Sequence, residues 1–142
     1  MQTKWLIPLD GSEPSLHAVD HVIAQAQSLT VKPLIYLLNV QAPLTGDITR
    51  FIDGKTIEDY HREAGEKALS AAVARFAGSG IEHSPHLLIG EAAPAIVEFA
   101  TGHGCSMIVM GTRGFSTVMG LIMGSVATKV IHLATMPVLL VK

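Results

Sequence analysis

Cys105 is the one cysteine in this chain of 142 residues. No internal disulfide can form, and such usage fits a reducing compartment. Standing just before an apolar run, Cys105 reads as a small packing residue rather than a reactive one. Aromatic residues make up 5% of the chain and charged residues 15%, with a net charge of −2. No dense Lys/Arg stripe is present, which argues against nucleic acid, whose affinity comes chiefly from neutralised phosphates. A spanning helix needs about 20 predominantly apolar residues. The longest uncharged stretch, Gly114 to Thr128, is 15 residues with three glycines. Asp10 and Glu13 arrive before a signal-peptide h-region could form, so a soluble cytoplasmic protein without membrane contact is expected. No G-x-S-x-G elbow occurs, nor any Cys–His pair in a supporting context.

What is present is apolar and periodic. Hydrophobic residues account for 49% of the chain, and this length supports one domain, residues 1–142, burying roughly 70% of its unfolded surface. Trp5 to Leu9 reads as a first strand, closed by the turn Asp10-Gly11-Ser12. Pro14 suits a first helical turn, and Leu16, Val19, Val22, Ile23 and Ala26 then recur on one face. Leu34 to Val40, broken by Asn39, has the continuity of a strand covered on both sides. Gln41 to Lys55 is expected to be irregular, a lid or a disordered loop. Thr56 and Asp59 resemble a capping box opening a helix to about Ala77. A third strand is expected over Ile81–Ile89, weaker before Pro85. A short helix opened by Pro94, a fourth strand at Met107–Met110, a helix from Val126 to Leu133 and a fifth strand at Pro137–Val141 complete the order. Such βα alternation predicts an open five-stranded parallel α/β sheet with helices on both faces.

The most informative feature is Gly111-Thr112-Arg113-Gly114, followed after nine further residues by Gly124-Ser125. A strand precedes it and a helix follows. Strand, glycine-punctuated loop and helix together form a phosphate cradle, because glycines admit an anion to the backbone N–H groups. The helix start adds free amides and the positive end of its dipole. In an open parallel sheet of order 3-2-1-4-5, ligands sit past the carboxyl ends of the strands, where the order reverses. That switch brings Asp10-Gly11-Ser12 and Gly111–Gly114 to one crevice.

These residues resemble the universal stress protein family, in its nucleotide-binding branch. The likeness runs from Leu6-Ile7-Pro8-Leu9-Asp10-Gly11-Ser12-Glu13 to Pro137-Val138-Leu139-Leu140-Val141, and the signature G-x2-G-x9-G-[ST] is complete as Gly111, Gly114, Gly124 and Ser125. The resemblance implies a Rossmann-like sheet binding ATP with Mg²⁺ or Mn²⁺. Gly111, Arg113, Gly114, Gly124, Ser125 and Val126 match positions lining ribose and phosphates. Pro8 and Asp10 match positions beside the adenosine, and Val40 one whose backbone bonds adenine. A homodimer paired through the edge strand 137–141 is implied too, with an unknown protein partner as a further possibility. Asn39 stands where many relatives carry His near the base pocket, and Ser106 replaces a common Asp at the far end of the sheet.

Bland readings stand beside these. Asp10 also suits a turn residue capping nearby amides, and Arg113 a solvated surface. The apolar spacer Phe115, Val118, Met119, Leu121, Ile122 and Met123 suits either its own core or a partner surface. Gly54-Lys55-Thr56 has a P-loop's tail without its earlier glycine or strand. His17 and His21 have metal-ligand spacing but lie opposite the apolar face with no third ligand. His103-Gly104-Cys105 reads as a tight turn. Three functions follow: a nucleotide-controlled regulator, a slow Mg²⁺-dependent ATPase lacking a water-positioning residue, and a nucleotide-free interaction domain.

Overall fold

The computed structural model describes residues 2–112 and 124–142. In chain order they form β1 (Lys4–Pro8), α1 (Glu13–Gln27), β2 (Leu34–Gln41), α2 (Gly46–Thr49), α3 (Gly54–Phe76), β3 (His83–Ile89), α4 (Ala92–Gly102), β4 (Met107–Gly111), α5 (Ser125–Leu133) and β5 (Val138–Val141). The strands form one parallel sheet of order β3-β2-β1-β4-β5, the predicted arrangement.

Residue parity divides the core. Side chains alternate across a strand, and odd-numbered Ile7, Ile35, Leu37 and Val109 pack with α1 and α3 through Val19, Val22, Leu69 and Phe76. Even-numbered Leu6, Leu38, Ile108 and Met110 pack with α4 and α5 through Ile96, Phe99, Ala127 and Val130. Both faces are therefore covered, which explains the unbroken apolar character of β2 and β4 in the sequence.

The helix starts follow local chemistry. Ser12 caps α1 in extended conformation, its Oγ accepting from Ser15 N–H at 3.5 Å, and Pro14 falls in the first turn. Asp53, rather than Thr56, caps α3: its carboxylate accepts from Thr56 N–H at 2.7 Å. That backbone bond, then one from the Thr56 side chain, holds the Asp53 carboxyl below its usual range. The expected loop 41–55 is correspondingly shorter, because β2 runs to Gln41, α2 occupies its middle and α3 begins at Gly54. Gly54-Lys55-Thr56 is thus the first turn of a helix with no strand before it. Gly11 takes φ +83° where the chain leaves β1, and a Cβ there would lie 3.3 Å from Ala68 Cα. Among the described residues, no helix is long and apolar enough to cross a membrane.

Candidate functional site

β1 lies at the centre of the sheet, and its two ladders end at different levels. Pairing with β2 runs to Pro8–Leu38, whereas pairing with β4 stops at Leu6–Ile108. The cause is a missing donor. Leu9 N–H donates to Leu38 C=O at 2.7 Å, so odd residues of β1 turn their N–H toward β2 and even residues toward β4. Residue 8 is the next to face β4, and proline has no N–H. The rung to Val109 C=O cannot form, and the β1–β4 ladder ends beside the strands' carboxyl ends.

A cleft occupies this place, with about 780 Å³ of atom-free space out to its open mouth. Its walls come from Pro8 and Asp10 after β1, Leu38 and Val40 on β2, Ala92 and Ile96 on α4, Met110 and Gly111 on β4, and Gly124 to Ala127 at the start of α5. Ser15 of α1 reaches it as well.

The polar groups of the cleft are mostly main chain. In β2, Leu34 N–H donates to Thr3 C=O and Ile35 N–H to Glu82 C=O, so even residues face β1 and odd residues β3. Val40 therefore turns N–H and C=O toward β1, beyond its last pair with β2. Among the described residues neither group has a hydrogen-bond partner. At α5 the N-cap is Gly124, which has no side chain to cap the first-turn amides. Among the described residues the N–H groups of Ser125, Val126 and Ala127, which border the cleft, have no partner. Gly124 N–H itself donates to Thr112 C=O at 2.9 Å.

Asp10 is both turn residue and cleft residue. Its Oδ1 accepts from Ser12 N–H at 2.9 Å and from the Ser12 hydroxyl, while among the described residues Oδ2 has no hydrogen-bond partner. Gly111 has a structural reason beyond any ligand: a Cβ there would lie 2.4 Å from Pro14 O. The first turn of α1 rests directly on the end of β4.

Seven of the predicted site residues thus line one cleft: Pro8, Asp10, Val40, Gly111, Gly124, Ser125 and Val126. Arg113 and Gly114 lie outside the described residues, as does the apolar spacer. Asn39 does not border the cleft. Its odd number puts it on the α1/α3 side, where Nδ2 donates to Leu9 C=O at 2.7 Å and Oδ1 accepts from the Gln41 side chain. Ser15, Ala92 and Ile96 were not foreseen. Pro94 marked the helix in the sequence, but only the β3–α4 crossover brings its first turn over β1.

The family model described as the Universal stress protein family matches residues 1–142. The chain belongs to the universal stress protein family. Universal stress protein MJ0531 of Methanocaldococcus jannaschii is 35% identical over 140 residues, covering 98% of this chain and 81% of its own. Universal stress protein YxiE of Bacillus subtilis is 33% identical over 150 residues, with 100% of both chains covered. The universal stress protein from Archaeoglobus fulgidus, solved in complex with dAMP, superposes with a TM-score of 0.69 at 26% identity, covering 100% of this chain and 98% of its own.

Against that family background, the other titratable candidates are structural. His17 is exposed on α1. His103 follows α4 as its C-cap, with Nδ1 2.9 Å from Phe99 O, and its ring stacks on Phe99 at 3.8 Å. Burial pushes the Cys105 thiol up to about 11, opposed only in part by the Lys4 charge. The group stays protonated and packs.

Proposed function

We propose that this universal stress protein binds an adenine nucleotide, ATP in the first instance, in the cleft between β1 and β4, and acts as a ligand-controlled regulator. The observation that carries this reading is the uncapped start of α5. Amides of a helix first turn, with the helix dipole behind them, favour an anion, and Gly124 leaves them open to the cleft. At the other wall Val40 offers one N–H and one C=O side by side, the complement of adenine's ring nitrogen and exocyclic amine. Pro8, Leu38, Ala92 and Ile96 supply apolar faces for a base. The dAMP complex of the Archaeoglobus relative supports the same ligand class. Arg113 and Gly114 complete the phosphate contacts in this reading.

The divalent ion, Mg²⁺ or Mn²⁺, fits as a companion of the phosphates. No group of three or more His, Cys, Asp or Glu able to hold a metal exists among the described residues. Asp10 Oδ2 and the Ser125 hydroxyl would complete a coordination sphere made largely of phosphate oxygen and water, as Mg²⁺ prefers. Bound there, the ion would screen phosphate charge. Among the described lining residues there is one carboxylate and no Lys, Arg or His side chain. Phosphoryl transfer needs a positioned water beside its charge clamp, and Asp10, the one carboxylate of the described lining, is engaged with Ser12; binding with conformational selection is therefore the proposed role, with hydrolysis slow.

A homodimer through β5 belongs to the same proposal. β5 is an edge strand beside exposed Ile131, Leu133 and Leu139, and unpaired edges invite pairing. Equilibrium dialysis with ATP and Mg²⁺ tests the ligand: saturable binding is expected, and none at high micromolar ATP overturns the reading. Mass analysis of what co-purifies with gently isolated protein identifies the nucleotide.

A further inference from the structure

The free Val40 N–H needs an explanation, because the chain runs close enough to consume it. With Leu9 N–H already on Leu38 C=O, the next rung of a parallel ladder is Val40 N–H to Leu9 C=O. That rung is not made, and β1–β2 pairing ends at Pro8–Leu38. Leu9 C=O is occupied instead by the side-chain amide of Asn39, at 2.7 Å from the opposite face of the sheet. Asn39 is 4% exposed, and its Oδ1 is held by the Gln41 side chain, whose backbone C=O in turn accepts from Gly90 N–H at 2.9 Å. The carboxamide is therefore locked in one orientation by the β2–β3 edge.

We infer that Asn39 is a positioning residue for base recognition, although it does not border the cleft. By drawing the Leu9 carbonyl toward its own face of the sheet it holds that acceptor out of line with the Val40 N–H, stops β1 from zipping onward along β2, and so keeps the Val40 N–H and C=O available to the ligand. This rests on the nucleotide reading above and adds its specificity determinant. A buried polar side chain with both ends satisfied is expensive to replace, so its presence between the apolar Leu38 and Val40 demands a role. The carbonyl it serves stands one residue before Asp10, so the same bond also fixes the exit of the chain toward the cleft.

The test uses Asn39→Leu, with Asn39→Ala as the smaller lesion and Asn39→His as the variant that keeps a ring N–H donor. Amide hydrogen exchange is followed at Val40 without nucleotide. Slowing of about tenfold or more is expected in Leu and Ala variants as the freed Leu9 C=O captures the Val40 N–H, whereas a merely structural loss would speed exchange across β2. Binding of AMP should fall about tenfold in those variants, that of ribose 5-phosphate should not change, and Asn39→His should recover AMP binding. Unchanged or faster Val40 exchange overturns the inference, as does an equal loss for AMP and ribose 5-phosphate. If the parent chain binds neither, the nucleotide reading falls, while Val40 exchange still decides what Asn39 does to the ladder.

Discussion

Two helices begin at the same cleft, and they begin in opposite ways. The start of α1 is closed upon itself: Ser12 caps it, Asp10 braces Ser12, and the Ser15 hydroxyl donates to Ser12 C=O at 2.8 Å. The start of α5 has glycine at the cap position: the Thr128 hydroxyl donates to Gly124 C=O at 3.0 Å, but among the described residues no side chain accepts from the first-turn amides. Glycine in place of a capping side chain costs a helix only about 0.3 kcal/mol, so the open start is cheap to keep and leaves first-turn amides for an external anion. The closed start is scaffold, and the open start is the receptor in the proposed nucleotide reading.

The largest expected effect comes from closing the open one. Gly124→Asp gives α5 its own carboxylate cap. Thermal unfolding should then show a gain of about 0.5 kcal/mol, while nucleotide affinity measured by calorimetry falls on the order of 100-fold, about 2.7 kcal/mol, because the cap competes with phosphate and repels it. Equal loss of stability and affinity would mean that α5 is not a phosphate site. Next in size, Gly111→Ala pushes a methyl group against Pro14 O and should cost about 2 kcal/mol by overpacking, read as a lowered denaturation midpoint at constant slope. Opening the closed start is milder. Ser12→Ala should cost about 1 kcal/mol and change nucleotide affinity by less than about threefold, since those amides serve the helix. Lys55→Ala, in the first turn of α3, should be silent within about 0.5 kcal/mol and leave binding unaltered. A marked loss of nucleotide there would revive the P-loop fragment.

The contrast also separates what the amino-acid pattern made legible from what it did not. Element order, sheet order and the convergence of Asp10 with Gly111 and Gly124 follow from apolar runs and glycine spacing, which are local signals combined with one topological rule. The cap of α3 was misplaced by three residues because Asp53 and Thr56 are both competent cap types, and the choice depends on where the chain turns. The family resemblance puts Asn39 near the base pocket, in place of a common His. Strand alternation puts it behind the sheet, a fact readable only once Leu38 and Val40 are assigned to the α4 side. Gly111 was read as a ligand requirement, whereas its missing Cβ equally admits α1. Pro8 carried the most information for its size. One absent N–H in a central strand ends a ladder, yet its meaning appears only with the register.

The bond from Gly124 N–H to Thr112 C=O ties together the two positions flanking residues 113–123. The clasp registers the entrance of α5 to the end of β4 through the main chain alone, so a side-chain replacement at either position leaves that alignment standing.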